Sequence, residues 1–268
     1  MNLALELFLT WGSLAVLGIL VVLDLIAPAR AQPQVRGWRL AGTLATVLFF
    51  AVGTYAPFLW DELLSSHRVF ELTDLSFGAQ ALLGLLAYEL VAYVWHRLLH
   101  AVPFLWRFHQ THHAAERFDV FGANYFHPVD MLGWSLATSL GLVWLVGLAP
   151  EAALFAANVA MILATFQHAN LRTPAWLGYV IARPEMHAVH HQRGVHWGNF
   201  GDIALFDMIF GTWFNPRQFD AQVGLVDGGS LKLGKLLLGE DLLAQQARGG
   251  EPSVDSEREP SRPSWSPT

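Results

Sequence analysis

The chain has 268 residues, 53% of them hydrophobic and only 14% charged, with a formal net charge of −6 at pH 7. This is too apolar for an ordinary soluble domain and reads as a membrane protein, with no basic footprint for nucleic acid. The absence of cysteine excludes disulfides, thiolate metal sites and thiol catalysis, and leaves histidine and carboxylate as the strong metal-binding side chains.

A bilayer-spanning helix needs about 20 apolar residues. The qualifying segments, in chain order, are Leu5 to Ile26, Trp38 to Trp60, Phe77 to Trp95, Val129 to Leu148, and Ala152 to Phe166, the last barely long enough. The first lacks a basic leader and its apolar run is too long for a signal peptide, so it reads as a retained helix. The last two flank Ala149-Pro150-Glu151 and read as a hairpin. Arg30, Arg36 and Arg39 lie between the first two segments, whereas Asp61, Glu62, Glu71 and Asp74 lie between the second and third with only Arg68. Positive charge concentrates on the cytoplasmic side, which puts the N-terminus outside and the first loop inside.

Histidines dominate the rest. His96 and His100 are spaced i, i+4; His109, His112 and His113, and again His187, His190 and His191, are spaced i, i+3, i+4. Those spacings aim all rings of one cluster to one helix face. Crowded imidazoles contribute little to packing but bind transition metals while neutral. Counting spans from the arginine-rich loop brings all three clusters to the cytoplasmic face, together with His127 before the fourth segment and His168 after the fifth. Ten rings are too many for one ion and suit two, although imidazole alone does not choose between zinc, copper, iron and nickel. His67 and His196 stand alone and read as hydrogen-bonded boundary residues. The expected fold class is all-α: a multi-pass membrane helical bundle of four or five transmembrane helices, with a cytoplasmic histidine-rich helical cap holding a dinuclear metal site.

Glu89, Tyr93, His96 and His100 form one helical stripe. An acid inside a membrane helix is costly and points to function, so Glu89 is expected to orient a ring through Tyr93 or water, or to relay protons. Asp119, Asp130, Glu185, Asp202 and Asp207 are further carboxylates in the cytoplasmic region. Ile203 to Phe214 and Trp176 to Ala182 are expected at the membrane interface, walling a substrate path. Leu231 to Ala247 reads as a short amphipathic helix and Arg248 to Thr268 as a disordered polar tail. No GxGxxG and no second compact segment for an electron carrier is present.

Taken in order, Glu89-x-x-x-Tyr93-x-x-His96-Arg97-x-x-His100, Trp106-x-x-His109-x-x-His112-His113, His127-Pro128, His168-x-Asn170, Pro184-x-x-His187-x-x-His190-His191, Asn199-Phe200-Gly201 and Phe210-Gly211-Thr212-Trp213 resemble the fatty acid hydroxylase and sterol desaturase superfamily. The resemblance covers about residues 75–216 and marks that stretch as the catalytic domain, between N-terminal helices and loops (1–74) and a polar tail (217–268). It implies an O2-dependent, non-haem di-iron oxidoreductase of the monooxygenase type. Such an enzyme hydroxylates or desaturates a C–H bond of a sterol, fatty acyl or related lipid, with electrons from a separate protein. It also implies His96, His100, His109, His112, His113, His168, His187, His190 and His191 as iron ligands, with His127 as a tenth. Two positions depart from relatives: Glu89 stands where Asp is frequent, and Tyr125 where Arg is frequent. The expected location is a bacterial cytoplasmic membrane with the metal site on its cytoplasmic side, in contact with membrane lipids. Arg107, Arg117, Arg183 and Arg193 are the candidate docking patch for the electron donor or for lipid heads. The rival readings are a membrane-embedded zinc metallohydrolase, which lacks its H-E-x-x-H here, and a metal transporter, whose ligands would lie near the bilayer midplane.

Overall fold

The computed structural model describes residues 3–248; the part of the expected tail beyond Arg248 lies outside the described residues. The helices are α1 (Leu3–Ile26), α2 (Trp38–Tyr55), α3 (Asp61–Ser66), α4 (Phe77–Ala101), α5 (Pro103–His113), α6 (Pro128–Ser139), α7 (Pro150–Gln167), α8 (Pro184–His190), α9 (Ala204–Phe210), α10 (Leu233–Leu237) and α11 (Leu242–Arg248). Two short strands, β1 (Phe70–Glu71) and β2 (Val146–Gly147), pair in parallel. Four helices among the described residues are long and apolar enough to cross a membrane: Leu3–Ile26, Trp38–Leu59, Phe77–Ala101 and Pro150–Gln167.

Proline sets much of this punctuation. Pro103, Pro128, Pro150 and Pro184 each occupy the start of a helix, where the missing N–H costs nothing and the fixed φ suits the first turn. The preceding residue is pushed out of helical geometry, and Val102, Arg183 and His127 are extended accordingly. The histidines are thereby carried on separate helices that turn back toward one another.

The expected span Val129 to Leu148 takes a different course. After Ser139 the helix widens into a π-helical segment, Leu140–Leu145, and ends in β2. Gly141 rides directly on α4, where a Cβ would come within 2.8 Å of the Tyr88 Cα. Apolarity is retained through this stretch, but close backbone packing on α4 and pairing with β1 replace a continuous α-helix.

Helix α4 is the hub, packed against α5, α6, α7 and the π-helical segment, whereas α1 leans on α7 and α2 on α6. Large apolar side chains such as Ile19, Leu44 and Val47 face outward, which suits hydrocarbon surroundings. The N-terminal helices are tied to the histidine end by polar bonds. Asp24 accepts the Val120 and Asn170 N–H groups at 2.7 and 2.8 Å, and the Trp38 indole N–H donates to Asp119 at 2.8 Å. At the same end Trp176, Tyr179, Ile209 and Phe210 are exposed on segments joined through the Ile181–Ile203 bridge. Both segments thus expose apolar side chains at that end. The expected helix over Leu231 to Ala247 is instead two, α10 and α11, separated at Gly239, whose φ is +62°. Leu236 and Leu242 anchor them against Ala114, Leu225 and Val226.

Candidate metal centre

Nine rings converge in two buried groups. His96, His100, His109, His113 and His190 form one; His112, His168, His187 and His191 form the other. Within each group the nearest ligand atoms lie within 4.8 Å of one another. The groups adjoin: the His113 and His191 rings stack with centroids 4.3 Å apart. Helices α4 and α8 contribute to the first group with α5, and α5 and α8 again to the second, with His168 closing α7.

In the five-ring group the Nε2 atoms of His96, His100, His109 and His190 are buried without a hydrogen-bond partner. Unpartnered buried nitrogens are costly unless something else satisfies them. The opposite nitrogens of three rings are already committed: His96 Nδ1 lies 2.8 Å from the Phe200 carbonyl oxygen, His109 Nδ1 2.8 Å from Asp130, and His190 Nδ1 2.9 Å from the Gly198 carbonyl oxygen. Each acceptor requires Nδ1 to carry the proton, which leaves the Nε2 lone pair directed inward, as metal ligation demands. In the four-ring group the His168 Nε2 is 3.0 Å from that of His112 and 3.1 Å from that of His187, and His187 Nε2 is 3.2 Å from that of His191. Such spacing matches neighbouring donors in one shell of roughly 2.0–2.1 Å metal–nitrogen bonds. The all-nitrogen donor sets therefore fit two transition-metal ions.

Burial holds the rings neutral. It is the main reason that His112, His113, His187, His190 and His191 are pushed well below the usual histidine range, with mutual repulsion adding to it. For His168 burial outweighs its bond to the Ala164 carbonyl oxygen, and the ring is lowered to about 4. A neutral imidazole is the ligating form.

The loop after α8 supplies the two clamping carbonyls and is itself held at several points. Gly198 has φ +74°, and a Cβ there would meet the Thr212 carbonyl oxygen at 2.7 Å. Asn199, at φ 51°, donates to the Met186 and Phe214 carbonyl oxygens and accepts the Phe214 N–H. Asp207 accepts the Phe200 and Gly201 N–H groups and the Thr212 hydroxyl. This explains why Asn199-Phe200-Gly201 and Phe210-Gly211-Thr212-Trp213 occur together.

Glu89 and Tyr93 serve the same loop. Glu89 Oε2 accepts the Asp202 and Ile203 N–H groups at 3.2 and 3.3 Å, and the Tyr93 hydroxyl bonds Thr212 at 2.8 Å with its ring stacked on Phe210. The stripe on α4 is as expected, and its acid and phenol reach the loop whose Phe200 carbonyl holds His96. His127 likewise stands apart from both groups. As N-cap of α6 its Nδ1 accepts the Val129 N–H at 3.0 Å, and its Nε2 lies 3.2 Å from the Leu237 carbonyl oxygen. Tyr125, the other departure, is buried on Trp38 and donates to the Ser230 carbonyl oxygen.

Three side chains have roles that spacing does not assign, two of them carboxylates already placed in this region. Asp130 is the carboxylate that reaches a ring, His109; its place three residues after His127 was the available signal. Asp202 lines a chamber of about 60 Å³ beside His96, His109, His112, His168 and His187. Burial raises its carboxyl to about 7, while the Gln167 amide donates to it at 2.6 Å. His196, read as a boundary residue, packs its ring 5.2 Å from His113 and 5.5 Å from Trp106, and burial lowers it to about 4. His67 is exposed, its Nδ1 near Ser66 and the Leu63 carbonyl oxygen. Of the four arginines expected to form a docking patch, Arg183 is fully buried against Glu185, Thr173, Asn215 and Pro216. Arg107 donates to Gly239, Arg117 pairs with Asp119, and Arg193 with Asp227. They do not make one free cationic surface.

Comparison with known proteins gives a consistent picture. Residues 81–212 match the family model described as Fatty acid hydroxylase, a stretch that carries all nine convergent rings. A curated relative, Ornithine lipid hydroxylase OlsE of Rhizobium tropici, is 30% identical over 195 residues. The alignment covers 70% of this chain and 57% of the relative, so the chain spans little more than half of that protein. No solved structure matches.

Proposed function

Because the chain belongs to the fatty acid hydroxylase family through residues 81–212, we propose that it is a membrane-embedded, O2-dependent lipid hydroxylase with two non-haem irons. The observation that carries this reading is the pair of adjoining all-histidine groups, buried around a chamber at the end of apolar spans. The name of the bacterial relative supports a lipid as substrate. The reaction takes a lipid C–H bond, O2, two electrons and two protons, and yields the hydroxylated lipid and water. The electrons come from a separate redox protein. The histidine end faces the cytoplasm in this reading, which the arginines of the first loop support.

The five-ring and four-ring groups would each hold one iron, and the pair would supply the O2 activation and C–H cleavage that side chains do not provide. The protein's own part is positional. Phe200, Gly198 and Asp130 fix three rings from behind, so donor geometry is set before substrate arrives. Phe49, Phe126, Trp134 and Met161 wall the chamber and exclude water from the reacting carbon. Asp202, with its carboxyl raised to about 7, holds or releases a proton close to neutral pH on the chamber wall.

The test is lipid analysis of cells making the wild-type protein or His190→Ala, grown with and without air, together with metal analysis of the purified protein. Lipids carrying one added oxygen are expected only with wild type in air, and two irons per chain. A single zinc, or products that persist without O2, would sink the proposal.

A further inference from the structure

The chamber at the histidines is small, and a second, larger space shares part of its wall. A cavity of about 550 Å³ occupies the bundle between α1, α2, α4, α6 and α7, and Phe49, Tyr88, Trp134 and Met161 line both spaces. Those four side chains form a neck between them. From the neck the cavity runs along Leu9 and Ser13 of α1 and Gly53 of α2 to Pro57 and Asp61, beyond the end of α2 remote from the histidines. Its volume lies in the range of small-molecule sites.

The arrangement of α1 and α2 explains how such a space persists. Helix α1 packs on α7 and α2 on α6, while contact between α1 and α2 is slight, so the two helices stand on either side of the cavity without closing it. Gly53 sits on this wall, and a Cβ there would meet nothing within 4 Å. Both helices precede the family-matched stretch, which begins at residue 81.

Resting on the hydroxylase reading, we propose that the cleft between α1 and α2 is a lateral portal through which a single apolar chain of a membrane lipid passes from the bilayer into the cavity. The neck of Phe49, Tyr88, Trp134 and Met161 then selects which carbon reaches the metal chamber. The occupant follows from three features together: the walls are predominantly apolar, they belong to spanning helices, and the cavity shares four lining side chains with the chamber. The 60 Å³ of that chamber admits a short stretch of chain, so the remainder lies in the larger cavity and its fit there sets the register. On this view the N-terminal helices, outside the shared catalytic stretch, determine specificity.

Gly53→Phe tests the portal, because Gly53 lines the cavity and a Cβ there meets no atom within 4 Å. Gly18→Phe is the control: Gly18 also faces open space, but it does not line the cavity. In cells, Gly53→Phe is expected to lower the oxygen-bearing lipids about a hundredfold, the scale of a misplaced substrate, with iron content and thermal unfolding unchanged. Gly18→Phe keeps wild-type output. Met161→Ala, which widens the neck, is expected to change the ratio of positional isomers. Wild-type output from Gly53→Phe, or an unchanged isomer ratio in Met161→Ala, overturns the corresponding half of the proposal.

A second readout does not depend on turnover. The purified full chain is placed in phosphatidylcholine vesicles containing a fatty acyl lipid with a photoreactive diazirine along its chain, and adducts are mapped by peptide. Adducts at Ser13, Gly53 and Met161 in wild type, lost in Gly53→Phe, support the portal even if no product forms, in which case only the hydroxylase reading falls. Adducts confined to outward positions such as Leu44 refute the portal.

Discussion

In the five-ring group three imidazoles are clamped from behind by acceptors of fixed position, the Phe200 and Gly198 carbonyls and the Asp130 carboxylate. In the four-ring group His168 has such a clamp, the Ala164 carbonyl, while the Nδ1 atoms of His112 and His187 are buried without a hydrogen-bond partner. That group relies on aromatic packing: Phe126 stacks on His112 with centroids 4.3 Å apart, and Phe118 on His168 at 5.7 Å. Hydrogen bonds fix both the tautomer and the ring angle, whereas stacking restrains only the ring plane. Similar donor sets are therefore preorganised to different degrees, and the five-ring group should hold its ion more tightly.

Acid should separate the groups most strongly. Unfolded histidine takes up protons near 6.5, but His168 does so only near 4 when folded, and burial holds His112, His187 and His191 well below the usual range too. The unfolded chain thus binds more protons throughout that interval. Stability of the metal-free fold is fully present above pH 6.5 and is lost as pH falls toward 4, at up to about 1.4 kcal/mol per pH unit for each such ring. Urea unfolding of metal-free protein at pH 7.5, 5.5 and 4.5 should show this decline. Metal retention over the same range should fall in two steps, the less clamped group first, because one proton among nitrogens 3.0–3.2 Å apart repels the rest of the set. Release of both ions in one step would remove the distinction drawn between the groups.

The next largest effect is expected from Asp130→Asn, which keeps the shape but removes the charge behind His109. Loss of such a partner typically weakens metal affinity about 10- to 100-fold. Titration of the stripped variant with Fe(II) should show this weakening for one equivalent and leave the other unchanged. Equal weakening of both would mean that the two groups act as a single unit.

The difference between the groups was hidden in the sequence for a physical reason. Periodicity places Nε2 atoms on one helix face, so the convergence of His96 with His100, or His187 with His190 and His191, was legible from spacing alone. The clamps are mostly backbone carbonyls, whose direction depends on a loop held by Asn199 and Asp207 and on left-handed residues at 198 and 199. No side-chain pattern announces where such carbonyls point. The same limit explains Glu89 and Tyr93: their stripe was readable, but their partners Asp202, Ile203 and Thr212 come from that distant loop. Hydropathy likewise located the apolar stretch Val129 to Leu148, but not that its second half widens into a π-helix and ends in β2, because it counts apolar residues and does not register how closely Gly141 packs on Tyr88.

The smallest effect is expected at His127, and it bears on whether the comparison involves nine rings or ten. Its Nδ1 accepts from Val129, so the proton is on Nε2, which is the atom facing the Leu237 carbonyl oxygen. One tautomer satisfies both contacts, and neither lone pair is left for an ion. The ring does what the start of α6 requires, since the first N–H groups of a helix have no partner within it. His127→Ala should then cost about 1 kcal/mol, the ordinary loss of an N-cap, with the iron content of both groups intact. His127→Asn should recover most of that stability, because asparagine is a good N-cap but a poor substitute for imidazole at iron. If either variant loses one equivalent of metal, and asparagine does not restore it, His127 belongs among the ligands and the four-ring group would be the one short of a donor.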